Sequence, residues 1–341
     1  MPKAQAAEGI ARLERMLLAA ARTGPYGLDA AAADLVGAGG KRVRPLLVLL
    51  SSRAAKPGAR ARGRVALALV SELVHSATLL HDDVIDDGLT RRGLPAPRVA
   101  YGNSVSVLAG DWLLAASLDL ALRSKAPGAV PALVRTLRHL VTGEAKQLAL
   151  RGKVTFTPDD AVEVARLKTA SLFAFCGEAG ALAARAPAGV ADALREFGSR
   201  SGTAFQIADD LLDFEADSAT LGKAVLADVT EGKPSLPLAI ALARLPALRD
   251  EMAALLGGAL GGAGFAGDGR SPKGGALAAD EMKARTQTFA ARLARTGALE
   301  AARQIAARER DLALAALAGV PEGPTRELLA QVAAMLLSRK S

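Results

Sequence analysis

The segment Leu79-Leu80-His81-Asp82-Asp83-Val84-Ile85-Asp86-Asp87 sets four aspartates within six positions of an apolar run. A second run, Phe205-Gln206-Ile207-Ala208-Asp209-Asp210-Leu211-Leu212-Asp213-Phe214, repeats the D-D-x-x-D spacing. On a helix, Asp82 and Asp86 lie one turn apart and share a face, as do Asp209 and Asp213. Aspartate is a poor helix former and neighbouring like charges repel. A solvated acidic helix end is therefore the plain alternative for a single cluster. Here Leu79, Leu80, Val84 and Ile85 mark the first cluster as packed, and carboxylates held on a buried wall need a counter-charge. If the two helices face each other, their carboxylates line one cavity, a hard-oxygen site suited to Mg²⁺ bridging to phosphate. A single cysteine and three histidines disfavour zinc.

Cations form the second signal. Gly39-Gly40-Lys41-Arg42-Val43-Arg44-Pro45 places three of them after two glycines and before a proline. Glycine lets backbone approach an anion, and arginine grips phosphate through two parallel hydrogen bonds. Arg91-Arg92-Gly93 follows the first aspartate run, and Lys168-Thr169, Gly222-Lys223 and Gly232-Lys233 add cations beside small or hydroxyl residues. No G-x-x-x-x-G-K-[ST] loop is present. Any one of these charges alone reads as surface solvation. Together they favour a site for two polyphosphate anions, one of them bridged by Mg²⁺.

The elements that must position these groups read as helices. Apolar residues recur at helical spacing, as in Ile10, Leu13, Leu17 and Leu18 or Val65, Leu69, Leu73 and Val74. Alanine and leucine dominate, and both favour helix. No alternating strand of six or more residues stands out; Lys153–Thr157 could be extended, ahead of a helix start at Pro158-Asp159-Asp160. The expectation is an all-α chain, one domain over 1–341, with a flexible glycine-rich loop at 257–275.

Composition narrows the classes. Half of the 341 residues are hydrophobic and 23% are charged, which suits a well-cored globular protein. The single cysteine, Cys176, excludes an internal disulfide framework. No secretory h-region opens the sequence and no apolar run reaches membrane-span length, so the expectation is a cytoplasmic chain that does not span a membrane. A net charge of +8 raises nucleic acid as a partner, but aromatics are only 3% and no nucleic-acid motif appears. Anionic small molecules fit better.

With these motifs assembled, the sequence resembles the trans-type polyprenyl diphosphate synthases, of the long-chain octaprenyl or solanesyl kind. The resemblance rests on the GGKRxRP element at Gly39–Pro45, the first aspartate-rich motif with trailing arginines at Asp82–Arg92, the second at Asp209–Asp213, and the Lys168-Thr169 and late Gly-Lys pairs. It implies the all-α isoprenoid synthase fold, with helices around a deep central cavity, and a homodimer. It implies condensation of isopentenyl diphosphate head-to-tail onto an allylic diphosphate, with three Mg²⁺ ions per active site. Two positions depart from the family pattern: Leu226 stands where a second glycine is frequent, and Ser235 where threonine is usual.

The resemblance also implies roles. Asp82 and Asp86 would hold metal from one wall, Asp209 and Asp213 from the other, with Asp83 and Asp210 in support. Arg91, Lys168, Thr169, Gln206, Lys223 and Lys233 would contact the allylic diphosphate, Lys168 and Lys233 taking part in catalysis. Lys41, Arg44, His75 and Arg92 would hold the isopentenyl diphosphate, although His75 reads equally well as a helix-packing residue. Ala77 and Thr78, about one turn before the metal site, are small where short-chain relatives carry a bulky aromatic floor. That favours a long product over farnesyl or geranylgeranyl, while a close helix contact at Ala77 is the plain alternative. A non-catalytic subunit of a heteromeric synthase would be expected to lack one aspartate motif, and both are complete here.

Overall fold

In the computed structural model, residues 3–58, 61, 63–215, 226–259 and 279–337 are described. Lys223 and residues 260–275 of the glycine-rich stretch lie outside them. Among the described residues the chain is helical apart from one hairpin of two-residue strands, β1 (Thr90–Arg91) and β2 (Leu94–Pro95). Residues 153–157 form no strand. Thr157 instead opens the next helix with a capping box: its Oγ1 accepts from the Asp160 amide at 3.2 Å, and its own amide donates to Asp160 Oδ2 at 3.0 Å. Helix Ala247–Ala259 takes in the first residues of the stretch expected to be a loop.

The chain folds as two compact units. The first holds α1 (Lys3–Ala21), α2 (Leu28–Gly37), α3 (Val43–Ala55), α4 (Arg64–Ile85), the hairpin, α5 (Pro97–Tyr101), α6 (Asn103–Arg123), nearly all of α9 (Ser171–Ala183), and the first turns of both α7 (Ala129–Leu150) and α10 (Ala188–Glu215). Its core is made by fully buried Leu17, Leu47, Leu73, Leu113, Phe173 and Phe197. Small residues set how closely the helices approach. Ser106, Ala109, Gly110, Leu113, Ser117 and Ala121 form the buried stripe of α6, at the i, i+3, i+4, i+7 spacing of one helical face. Ser106 Oγ donates to the Leu80 carbonyl at 3.0 Å, and a Cβ added at Gly110 would fall 2.2 Å from His81 Nε2. Added at Gly177 or Gly198, it would fall 2.0 Å from the Leu194 carbonyl oxygen or 2.2 Å from that of Phe173. Helices α9 and α10 thus cross at backbone distance.

The second unit holds the rest of α7, α8 (Pro158–Val164), a π-helical segment at Ala165–Ala170, the remainder of α10 and the helices from Ala227 to Ala315. Ile207, Leu238, Leu242, Leu248, Met252, Phe289 and Leu293 form its core.

Candidate active site

The first aspartate run occupies the last turn of α4 and its C-cap, Asp86. The Asp86 amide bonds back to the Asp82 carbonyl at 2.8 Å and the Gly88 amide to that of Asp83 at 2.9 Å, with Asp87 in the left-handed region at φ 52°. Such a reversal usually falls to glycine or asparagine. Arg98 braces it, donating to Asp87 Oδ1 at 2.8 Å and to the Gly88 carbonyl at 3.3 Å. Asp82 and Asp86 keep partial solvent contact while Asp83 is fully buried. Asp83 Oδ1 accepts from Arg91 Nε at 2.9 Å and also from Arg91 Nη2. The hairpin turn at Arg92 and Gly93, with φ of 54° and 78°, is of the type that suits a two-residue connection. Asp83 therefore fixes the strand that carries Arg91, a pairing the sequence motif leaves unseen.

The charges of four arginines act on His75. Arg44 lies 5.0 Å over the buried ring of Phe173, a favourable cation–π arrangement. A Cβ at Gly40 would meet Arg92 Nη2 at 3.3 Å and Arg42 Nη1 at 3.5 Å, while Lys41 is exposed. Burial, then the charges of Arg44, Arg92, Arg91 and Arg42, hold the His75 imidazole well below its usual range. The native protein binds this proton less readily than the unfolded chain does. The stability linked to His75 is therefore intact above the ordinary imidazole pKa of about 6.5 and is lost as pH falls below it. Between about pH 7 and pH 5, thermal melts should show the wild type losing Tm and His75→Gln losing less. Equal losses would remove His75 from this electrostatic cluster.

Ala77, Val74 and Val70 are fully buried on one stripe of α4. Thr78 is partly buried and donates its hydroxyl to the His75 carbonyl at 2.8 Å.

In the second unit, Lys168 and Thr169 sit within the π-helical segment, a wider turn often found at functional sites. Gly143 of α7 admits this segment, since a Cβ there would fall 2.6 Å from the Lys168 backbone nitrogen. Lys168 Nζ pairs with Glu144, whose other oxygen accepts from Gln147 at 3.3 Å. Thr169 Oγ1 donates to Gln206 Oε1 at 2.5 Å, and Gln206 Nε2 donates to Asp210 Oδ1 at 2.8 Å. The Leu236 amide reaches Asp210 Oδ2 at 3.2 Å, and the Asp228 amide reaches Asp213 Oδ2 at 2.9 Å. Lys233 pairs with Glu231 at 2.6 Å. Asp209 is exposed and Asp213 partly so. Burial pushes Asp210 up to about 7, helped by Asp209 and Asp213; it also raises Asp228, beside Asp210 and Asp213. Glu144, Gln147 and Asp228 thus join the network of candidate site residues, and no spacing rule singled them out.

Asp82, Asp83 and Asp86 on α4 and Asp213 on α10 stand at the carboxyl ends of their helices, where the peptide dipoles already concentrate negative charge. An added cation relieves both repulsions. Among the described residues no three His, Cys, Asp or Glu side chains converge into a ready-made cage. Mg²⁺ needs none, because it binds through one or two carboxylates, water and substrate phosphate. The donor set fits that ion.

The family model for polyprenyl synthetases matches residues 26–260. The octaprenyl diphosphate synthase of Escherichia coli K12 is 34% identical over 305 residues, 89% of this chain and 88% of that one. This chain belongs to the polyprenyl synthetase family. Two solved structures extend the likeness. A polyprenyl synthase from Caulobacter crescentus, complexed with calcium and isoprenyl diphosphate, superposes with a TM-score of 0.83 at 34% identity, covering 99% of this chain and 97% of that one. A geranylgeranyl pyrophosphate synthetase from Pyrococcus horikoshii gives 0.84 at 27% identity, covering 98% and 97%. The fold is that of the isoprenoid synthases, as the motifs implied. Against the polyprenyl synthetase pattern, Leu226 now has a physical reading. It takes φ 69°, a left-handed conformation that costs a non-glycine residue about 1 kcal/mol, and buries its side chain to 3% exposure in the core of its unit. Packing offsets the strain that glycine would avoid.

Proposed function

We propose that this polyprenyl synthetase condenses isopentenyl diphosphate head-to-tail onto an allylic diphosphate and releases a long all-trans product. Family membership makes it a trans-prenyltransferase. The observation that carries the catalytic reading is the pair of aspartate helices, both complete and both ending in carboxylates crowded against the helix dipole. A subunit without catalysis has no use for that repulsion.

The allylic C–O bond breaks, leaving positive charge on carbon and negative charge on diphosphate. Asp82, Asp86, Asp209 and Asp213 would hold Mg²⁺, which would supply charge neutralisation for that leaving group. We assign the allylic diphosphate to Lys168, Thr169, Gln206 and Lys233, with Arg91 positioned by Asp83, and to Lys223 by motif alone. Lys168 exchanges Glu144 for the developing diphosphate charge, which strengthens its contact as the bond breaks. Lys41, Arg44, Arg92 and neutral His75 hold the diphosphate of the acceptor. The acceptor's double bond then attacks the cation, a C–C bond forms, and a proton leaves to the released diphosphate.

The family model runs through segments of both compact units, which supports treating 1–341 as one catalytic domain. Helix α6 is long and apolar enough to cross a membrane by length and composition, but it carries Asp111 and Asp119 and packs its small-residue stripe on α4. A soluble, cytoplasmic enzyme fits this better. Val107, Leu108 and Leu122 on the same helix are 38%, 54% and 65% exposed, and a second copy of the chain would cover them. Sedimentation at micromolar concentration should give a dimer; a monomer removes that assignment.

The test of function is incorporation of radiolabelled isopentenyl diphosphate by the purified chain with Mg²⁺ and an allylic primer, with product length read by chromatography. No incorporation by the chain alone would favour a subunit role. Products ending at farnesyl or geranylgeranyl would replace the long-chain reading with the shorter one.

A further inference from the structure

The reaction scheme leaves one cation of Gly39–Pro45 unused. We infer that this residue, Arg42, is a positioning residue that, with Glu72, anchors the loop presenting Lys41 and Arg44 to isopentenyl diphosphate; the inference rests on the reading of that loop as the acceptor site. Arg42 is 7% exposed and Glu72 3%, so neither side chain is placed to meet substrate. Arg42 Nη1 donates to Glu72 Oε1 at 2.6 Å and Nη2 to the Val36 carbonyl at 2.7 Å, while Nε lies 3.6 Å from Glu14 Oε1. One guanidinium thereby ties α1, α2 and α4 to the residue that caps α3. Its backbone takes φ 47° and ψ 36°, a left-handed conformation that persists in a non-glycine residue only where its surroundings over-determine it. Gly39, at φ 83°, precedes it. The loop is thus held by a side chain and not by its own backbone preference.

Glu72 has a second role. Arg42, Arg44, Arg91 and Arg92 all act on His75, and Arg92 and Arg42 approach the same face of Gly40. Without diphosphate such a cluster repels itself. Glu72 is a buried carboxylate bonded to Arg42, and its charge also acts on Arg92. It therefore supplies a counter-charge while the acceptor site is empty. Lysine could not replace Arg42, because a point charge cannot donate to Glu72 and Val36 at once in the geometry of a planar fork.

A buried ion pair that serves stability alone would behave differently. Removing one partner strands a buried charge, whereas replacing both with apolar groups of similar volume leaves stability near native. The decisive variant is therefore Arg42→Met with Glu72→Leu. Its Tm should stay near that of the wild type. Its KM for isopentenyl diphosphate should rise about tenfold or more, while kcat and the KM of the allylic primer change less than about twofold. Hydrogen exchange should speed up at the amides of 39–44 and stay slow along α4. Native KM together with native exchange overturns the inference. If the double variant does not fold, Arg42→Lys carries the test and must show the same KM split and the same loop exchange; unchanged values overturn the inference equally. A wild type that does not consume isopentenyl diphosphate defeats the functional reading, and loop exchange, which needs no substrate, still decides the anchor.

Discussion

Replacing Asp82 or Asp209 with alanine should lower turnover by about a hundredfold to a thousandfold, with the fold intact. On the proposed assignment each change would remove a ligand for the ion that neutralises the leaving diphosphate, and the loss would fall on the transition state more than on substrate binding. Thermal stability should move the other way. Asp82 stands in the last turn of α4, beside Asp83, Asp86 and Asp87, so its removal relieves repulsion at the negative end of a helix dipole. Without metal, the Tm of Asp82→Ala should equal or exceed that of the wild type. Added Mg²⁺ should raise the wild-type Tm and raise that of the variant less. Near-normal turnover at saturating Mg²⁺ would defeat the ligand assignment, and a large fall in Tm would turn Asp82 into a packing residue.

Ala77→Phe should shorten the product. Ala77, Val74 and Val70 form a fully buried stripe of small and medium side chains running back along α4 from the aspartates. On the proposed reading a prenyl tail growing from a diphosphate held at Asp82 and Asp86 would pass this stripe, since one helical turn is only about 5.4 Å. A phenyl ring there closes the path after few additions. A folded, active variant whose longest product is several isoprene units shorter than that of the wild type is the expected result. The alternative also has a clear signature: if Ala77 only seats a neighbouring helix, the ring overpacks the core at about 1–3 kcal/mol or more, and the variant melts early. A stable variant with unchanged products would rule out any role in length.

The legibility of the sequence differed by the range of the interaction. Helices were readable because Ala and Leu recur at helical spacing over long stretches, and the aspartate pairs were readable because four residues is one turn. Pro158-Asp159-Asp160 announced a helix start, because proline and acidic residues favour a first turn. Glu72 and Arg42 are thirty positions apart, and neither departs from its neighbours in composition. The same holds for Lys168 with Glu144 and for Thr169 with Gln206, which meet only through helix packing. Asp83 and Asp82 are indistinguishable by type, yet one is fully buried on Arg91 and the other is not. The hairpin at 90–95 was hidden because strands of two residues carry no periodicity; only its Gly93 hinted at a turn. The π-helical segment left no trace, since the residue types of Ala165–Ala170 are those of an ordinary helix.

That segment bears on how such sequences can change. A π-turn within a helix amounts to one residue more than α-helical winding requires, and each residue turns the helix by about 100°. Losing a single residue from Ala165–Ala170 would restore regular winding with the flanking turns still in phase, yet it would change which side chains the widened turn presents. Lys168 and Thr169 could not then keep Glu144 and Gln206 as their respective partners. Substitutions at the segment's other positions are cheap by comparison, because they leave the widened turn in place. Descendants of this chain should therefore keep Lys168, Thr169 and the number of residues in 165–170 while the other letters vary, and an alignment gap placed there would mark either an error or a lost activity.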